Sequence, residues 1–398
     1  MEKISRKSFV KGALGLGAVG ILAGCASSAS STAASASSTA APAEKKEFTF
    51  ADTVRWDAQY DVVVMGMGAA GMVAAKTAAD NGAKVVIVEK CEEGKAGGNT
   101  KVCGQLFAYA NGDKDAAKSY YTALAGGRDI EPEIIDAISE GVANMADILA
   151  DEFGFNKDEY MDWTGVNVGG TNMGAMSPEY PEMPGHEKMA LWTTHAGASD
   201  GYLYQGLKQN VTDRVDAIDV WYSSPAKSLI QDPVTKTVVG VTVERDGKEM
   251  NIRALNGVCI CTGGFECNKE MVQHYLNVIN YAPRGGPFNS CDGIKMAQAV
   301  GADLWHMDCY EGLFGLGSVT YPVEEGIPCD MIATLAQNAV NTGAAILVGT
   351  DGDRFVNESE TVRHGHLYEN GIWENPTFPE KVWYIIDETQ KGEIEAAG

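Results

Sequence analysis

Residues 61–65, DVVVM, form an unbroken apolar run dominated by β-branched valine, the pattern of a strand buried on both faces. The run meets GMGAAG, and beyond it residues 72–81 carry the small and apolar side chains of a helix that NGAK, residues 81–84, brings to a stop. KVVIVEK then predicts a second strand ending at Glu89. Residues 219–255 alternate as strands do, with Asp246-Gly247 placed to turn a hairpin, and an apolar strand ends at Thr262. Residues 161–207 mix Gly, Met and aromatic side chains between periodic segments, which predicts a long loop lining an apolar, roomy pocket.

The first strand, glycine cluster, helix and second strand make one unit. Gly66, Gly68 and Gly71 have G-x-G-x-x-G spacing, and Glu89 follows about twenty residues later. Gly66 permits a tight turn, Gly68 lets the backbone approach a pyrophosphate, and Gly71 lets helix pack on strand. The helix N-terminus supplies positive potential, and Glu89 would accept hydrogen bonds from a ribose. These residues point to a dinucleotide and leave NAD and FAD equally open.

Length and composition add limits. The chain has 398 residues, 45% apolar and 21% charged, enough for a sizeable core. Its 54 acidic against 31 basic residues give a net charge of −23, which argues against nucleic acid and anionic lipid as partners. The N-terminus has a basic start, an apolar run over 12–24 too short to span a bilayer, and small residues before Cys25. SRKSFVKG resembles a twin-arginine export signal with Lys7 in place of the second arginine, and LAGC resembles a lipobox whose cysteine is lipidated. The expectation is an exported chain, anchored to the membrane only through lipid on Cys25, with a Ser/Ala-rich tether after it. The other eight cysteines fit no haem attachment, ferredoxin-like run or zinc knuckle, so buried thiols and no metal are expected.

Three later stretches go further. EKCEEGKAGGNTKVCGQ carries Gly97, Gly98, Asn99 and Thr100; GVCICTGGFECNKE carries Thr262, Gly263 and Gly264; CDGIKMAQAVGADL carries Asp292, with Cys291 where glycine is usual. In order and spacing they resemble the FAD-dependent oxidoreductase family that contains soluble fumarate reductases, urocanate reductase and 3-ketosteroid dehydrogenases, over residues 60 to about 387. The resemblance implies an α/β fold: a Rossmann-like FAD-binding domain over 56–310 with an inserted β-rich segment, then a partial α+β capping domain over 311–398, behind an export signal (1–25) and tether (26–55). It implies FAD as cofactor, held by Gly66, Gly68, Ala70, Gly71, Glu89, Lys90, Gly98, Asn99, Thr100, Gly104, Ala226, Thr262, Gly263, Gly264 and Asp292, with Ala226 near adenine.

Members of that family move hydride between flavin and a C=C bond while a side chain handles the proton. In GDRFVNESETVRHGH, Arg354, Phe355, Asn357 and Glu358 match the family's R-F-x-N-E, and Arg363 stands one place beyond the position of the proton-donating arginine of fumarate-type members. Arginine is a weak acid that needs reloading partners. The positions resembling that pair are Asn338 and Asn341, and no histidine falls near Glu325, so a fumarate substrate is not expected. Arg363, Arg354, Glu358 and His195 are the catalytic candidates, with His364, His366 and Tyr202 beside them. Aromatic or steroid-like alkenes fit the predicted pocket better than C4 acids. Past RFVNE the family's further capping and flavin segments have no counterpart, so the chain reads as C-terminally truncated. The expected function is reduction of an activated C=C with electrons from an external membrane quinol oxidase or cytochrome. The alternatives are an FAD-binding remnant without activity, a steroid-type dehydrogenase running in the oxidising direction, and an electron carrier.

Overall fold

The computed structural model describes residues 48–164, 167–168, 171–172, 180–197, 200–279, 283, 285–305, 307–308, 345–355, 367–369, 372–374, 379, 381 and 383–396. The expected export signal and Cys25, and the 310/311 boundary, lie outside these residues. The chain divides into two compact units, Met1–Arg55 and Trp56–Gly398, and the elements below belong to the second.

In chain order these are β1 (Ala58–Met65), α1 (Ala69–Asp80), β2 (Val85–Val88), α2 (Gly98–Val102), β3 (Leu106–Tyr109), α3 (Lys114–Leu124), α4 (Pro132–Asp151), β4 (Met161–Asp162), β5 (Asn167–Val168), β6 (Thr171–Asn172), β7 (Ala190–Thr193), α5 (Tyr202–Thr212) and β8 (Ile218–Trp221). They continue with β9 (Ala226–Gln231), β10 (Val238–Arg245), β11 (Lys248–Ile260), α6 (Asp292–Ala299), β12 (Ala345–Val348), β13 (Leu367–Glu369), β14 (Ile372–Glu374), β15 (Trp383–Ile386) and α7 (Glu388–Ala396).

The main sheet has the order β8-β2-β1-β11-β10-β9. The first four strands run parallel and the last two are antiparallel additions. β11 joins the two kinds: Lys248 to Arg253 pair with β10, and Ile252 to Ile260 pair with β1. The β10–β11 connection is the expected two-residue hairpin, with Asp246 at φ 52° and Gly247 at φ 71°, the doubly left-handed turn that Asp-Gly adopts readily.

Side-chain alternation explains the apolar runs. Val64, Val85 and Ile87 face one core with α1, α4 and α5, where Met72, Leu149, Phe153, Leu207 and Val211 meet them. Val63, Met65, Val86 and Val88 face the other core, under Val241, Val243, Ile252 and Met296. Both faces being covered, neither position in the alternation can be polar. Each such fully buried aliphatic side chain contributes about 1.5–3 kcal/mol.

Two expectations shift. The helix after the glycine cluster starts at Ala69 rather than Met72, because extended Gly68 caps it and Gly71 lies inside its first turn. The 161–207 stretch is not one long loop: β7 is the centre of a three-stranded sheet β3-β7-β4, and α5 begins at Tyr202. Met183 and Met189 pack with Ala110, Ala117, Tyr120 and Tyr180, and Trp163 is buried, so these apolar residues are core. The remaining short strands pair as β5–β6, β12–β15 and β13–β14. Among the described residues no helix is long and apolar enough to cross a membrane.

A Cβ on Gly71 would collide with the Gly66 carbonyl oxygen and lie 3.4 Å from Cys261 Cβ, whereas one on Gly94 would meet nothing within 4 Å. Gly71→Ala should therefore lower stability by about 3 kcal/mol, the cost of overpacking a tight approach. Gly94→Ala should stay within about 0.5 kcal/mol. Denaturant midpoints of the two variants check this.

Candidate functional site

The site begins where three parallel strands end level with one another. Met65 is in register with Val88 of β2 and Ile260 of β11, so the chain leaves all three at one edge, into Gly66, Glu89 and Cys261. Crossovers at such an edge, with a helix N-terminus beside them, are where α/β sheets bind nucleotides. Gly66 has φ 99° and no room for a side chain, because a Cβ would strike the Cys261 carbonyl. Above Gly68 the nearest atoms to a Cβ would be Thr100 Oγ1 at 3.6 Å and Gly97 O at 3.8 Å. The turn is closed below and flanked by Thr100 and Gly97 above, with Gly68 and Ala69 half-buried and Ala70 exposed at the helix start.

Glu89 is 7% exposed and pinned beneath the turn: its Oε2 accepts from the Met67 N–H and its Oε1 from the Cys91 N–H, both at 2.8 Å. A carboxylate has about four acceptor positions, so this pinning leaves room for hydroxyl donors. On the other side, Thr100 Oγ1 accepts from the Ala69 N–H at 2.9 Å, capping α1 from a distant segment. Gly98 (φ 52°) has nothing within 4 Å of where its Cβ would be.

Most motif side chains are engaged with one another. Lys90 Nζ donates to Ser290 Oγ and Asp292 Oδ2, each at 2.7 Å. Asn99 Nδ2 donates to Glu266 Oε1 at 2.9 Å, while Asn99 Oδ1 accepts from the Gly286 N–H at 2.6 Å. Gly263 (φ 76°) faces Asn289, whose Oδ1 would lie 2.5 Å from an added Cβ. Cys291 is buried and left-handed at φ 74°, a conformation that favours the glycine usual there. Ala70 lies in the first turn of α1, and Gly104 links α2 to β3. A cavity of about 490 Å³ opens beside these groups, lined by Lys90, Cys91, Glu92, Lys95, Ser223, Pro225 and Phe288, next to Ala226 at the start of β9.

The structure thus brings Gly66, Gly68, Ala70, Gly71, Glu89, Lys90, Gly98, Asn99, Thr100, Thr262, Gly263, Gly264 and Asp292 to one strand edge. Sequence reasoning missed Ser223, Glu266, Phe288 and Asn289, which lie on turns without periodicity; the one visible signal was an isolated aromatic in GGPFNS. His195 instead engages Asp200, with Nε2 2.7 Å from Oδ2, and stacks on Tyr202 at 4.1 Å between ring centres. The Tyr202 backbone N–H, and then His195, hold the Asp200 carboxyl below its ordinary range. Arg354 follows β12 and is exposed. Glu325, Asn338, Asn341, Glu358, Arg363, His364 and His366 lie outside the described residues. Among the described residues no cluster could hold a metal ion.

The residues present fit a dinucleotide: a glycine turn into a helix N-terminus exposed at Ala70, an acid beneath it and a cavity beside it. A family model described as FAD binding domain matches residues 61–395. The chain is 28% identical to an NADH:fumarate oxidoreductase of Klebsiella pneumoniae over 314 residues, covering 76% of this chain and 30% of that protein. It is 28% identical to a fumarate reductase (cytochrome) of Shewanella frigidimarina over 312 residues, covering 76% of this chain and 48% of that one. It thus spans less than half of these relatives' lengths. A 3-ketosteroid delta1-dehydrogenase from Sterolibacterium denitrificans, solved with 1,4-androstadiene-3,17-dione, shares the fold with a TM-score of 0.61 at 20% identity, over 76% of this chain and 64% of that one.

Burial, and then the Glu89 carboxylate, push the Cys91 thiol up to about 12. At pH 8 its thiolate fraction is about 10⁻⁴, against roughly a quarter for a free cysteine. Iodoacetamide at pH 8 should leave Cys91 unmodified, by peptide mass spectrometry, over a period that fully labels a free thiol. Labelling at the free-thiol rate would contradict a thiol raised by its half-buried place beside Glu89.

Proposed function

Because the chain belongs to the FAD-binding-domain family, we propose that it is an FAD-dependent oxidoreductase acting on CH–CH bonds, reducing an activated C=C of an enoate or enone. The observation that carries this reading is the glycine turn at Gly66 and Gly68 leading into a helix whose first turn is exposed at Ala70, with Glu89 pinned beneath it and the 490 Å³ cavity alongside. FAD, when bound, supplies the hydride chemistry. The chain's own residues bind and orient it. Glu89 would accept the ribose hydroxyls, the α1 N-terminus would face the pyrophosphate, and the cavity beside Ala226 would take the adenine. Lys90, Asn99, Thr100 and Asp292 would act chiefly by fixing the walls, since their polar atoms already bind protein.

Protonation of the substrate carbon needs a side chain within hydrogen-bond reach. Arg363 is our candidate, with Arg354 and Glu358 from the same R-F-x-N-E stretch; His195 is a second candidate because its buried Nδ1 has no hydrogen-bond partner among the described residues. Reducing equivalents would come from an external donor such as a membrane quinol oxidase or cytochrome. The relatives include proteins named for fumarate reduction and for 3-oxosteroid dehydrogenation, which supports a second reading with the same site running in the oxidising direction. Placement outside the cytoplasmic membrane, anchored at Cys25, completes the proposal and rests on the N-terminal sequence alone.

Purified and desalted, the chain should retain about one FAD, seen in its visible spectrum, and the dithionite-reduced protein should be reoxidised by enoates or enones. Colourless protein would overturn the cofactor reading. Reoxidation only by quinones or dyes, with flavin reduction by a saturated ketosteroid, would favour the oxidising direction. For the anchor, the membrane fraction should yield a mature chain beginning at a lipid-modified Cys25; an N-terminus at Met1 would overturn it.

A further inference from the structure

Glu266 lies two residues beyond Gly264 on the loop leaving β11, and it is held unusually firmly for a carboxylate on a loop. Its Oε1 accepts from two side-chain amides, Asn99 Nδ2 at 2.9 Å and Asn289 Nδ2 at 2.5 Å. Asn99 cannot turn its amide over, because its Oδ1 already accepts from the Gly286 N–H and from Asn289 Nδ2 at 3.1 Å. Asn289 is 6% exposed, so its amide cannot exchange freely with water. The carboxylate is thereby oriented through one oxygen alone.

The other oxygen, Oε2, projects over Gly264, 2.7 Å from where a Cβ would stand. It makes no hydrogen bond among the described residues, and no lysine or arginine among them forms an ion pair with Glu266. Two neutral amides orient the charge without neutralising it. A strut needs only an acceptor, which glutamine or a backbone carbonyl would supply. A fixed carboxylate with free lone pairs is suited to accepting from hydroxyl groups, and it would repel a phosphate.

Its place in the sheet indicates which hydroxyls. The strand order β2-β1-β11 sets Glu89 at one tip, the glycine turn at the middle one and Gly263, Gly264 and Glu266 beyond the third. Neighbouring strands lie about 4.8 Å apart, so the outer tips are about 10 Å apart, on either side of a pyrophosphate resting on the turn. FAD carries one hydroxyl-bearing chain on each side of its pyrophosphate, the adenosine ribose and the ribityl.

We propose that Glu266, oriented by Asn99 and Asn289, is a second hydroxyl-accepting carboxylate of the cofactor site, holding the ribityl of the flavin half as Glu89 holds the ribose of the adenosine half. This rests on the FAD reading above. Binding of FAD, followed by flavin fluorescence, is compared with binding of ADP, which has the adenosine and pyrophosphate but no ribityl. Glu266→Ala should weaken FAD about tenfold, the loss of one charge-assisted hydrogen bond, and leave ADP unchanged. Glu89→Ala should weaken both ligands. Glu266→Gln can still accept from both amides through its Oε1, so it should keep the thermal midpoint of the parent chain and show the same selective loss for FAD if the alanine variant fails to fold. Equal weakening of FAD and ADP would make Glu266 a strut and overturn the proposal, as would unchanged affinity for both. A parent chain that binds no FAD would instead overturn the cofactor reading, so the two failures are distinguishable.

Discussion

The close approach of α1 to the tips of β1 and β11 is the constraint from which the rest of the site follows. The Gly66 carbonyl lies where a Cβ on Gly71 would be, and the Cys261 carbonyl lies where a Cβ on Gly66 would be. Three backbones therefore meet with no side chain between them. Such contact holds the helix N-terminus directly over the strand edge, where its unpaired N–H groups and dipole are aimed at whatever lies above the turn. Any side chain at these positions would lift the helix and spread the edge. The apolar β-branched strands are the complement of this geometry, because a sheet covered on both faces holds its tips in register.

The net charge of −23 makes the local arrangement matter more. A dinucleotide brings its own negative charges, so the global field of this protein opposes binding and attraction has to come from short-range groups. Lys90 contributes less than its charge implies, since Asp292 balances it at 2.7 Å in a partly exposed pair. Backbone N–H groups remain the principal positive element, with carboxylates such as Glu89 placed to meet hydroxyls rather than phosphates. An acidic chain can hold an anionic cofactor on these terms because Glu89 and Glu266 are oriented by backbone and amide donors and Asp292 is paired with Lys90.

Legibility in the sequence follows the range of each interaction. The glycine spacing, the buried strands and the Asp246-Gly247 hairpin were readable because each is settled within a few residues by backbone sterics or alternation. The start of α1 was misjudged because the capping Gly68 and the helical Gly71 belong to the same short string. β7 was hidden inside a stretch whose Gly, Met and aromatic content resembles a loop, although ALWT pairs on both sides as a central strand. The bonds from Thr100 to Ala69, from Asn99 to Glu266 and from Lys90 to Asp292 join segments 31, 167 and 202 residues apart, and no local pattern encodes them. The resemblance supplied the motif residues as points of cofactor contact, whereas several of their side chains clamp segment to segment.

That division of labour bears on substrate. A nucleotide cradle built from backbone and internally paired side chains is indifferent to what is oxidised or reduced at the far end of the cofactor, so one fold can serve different chemistries. On the proposed reaction, the proton path is where this sequence would depart from fumarate-type members. In the alignment the resemblance implies, Asn338 and Asn341 would take the places of the titratable acid and its cationic partner, and a side-chain amide neither gains nor loses a proton at ordinary pH. On that alignment Arg363 would need water or another group to restore its proton after turnover. On that reading water or a group such as the His195–Asp200 pair would reload the donor, and a substrate whose own carbonyl stabilises the developing negative charge would demand least of it.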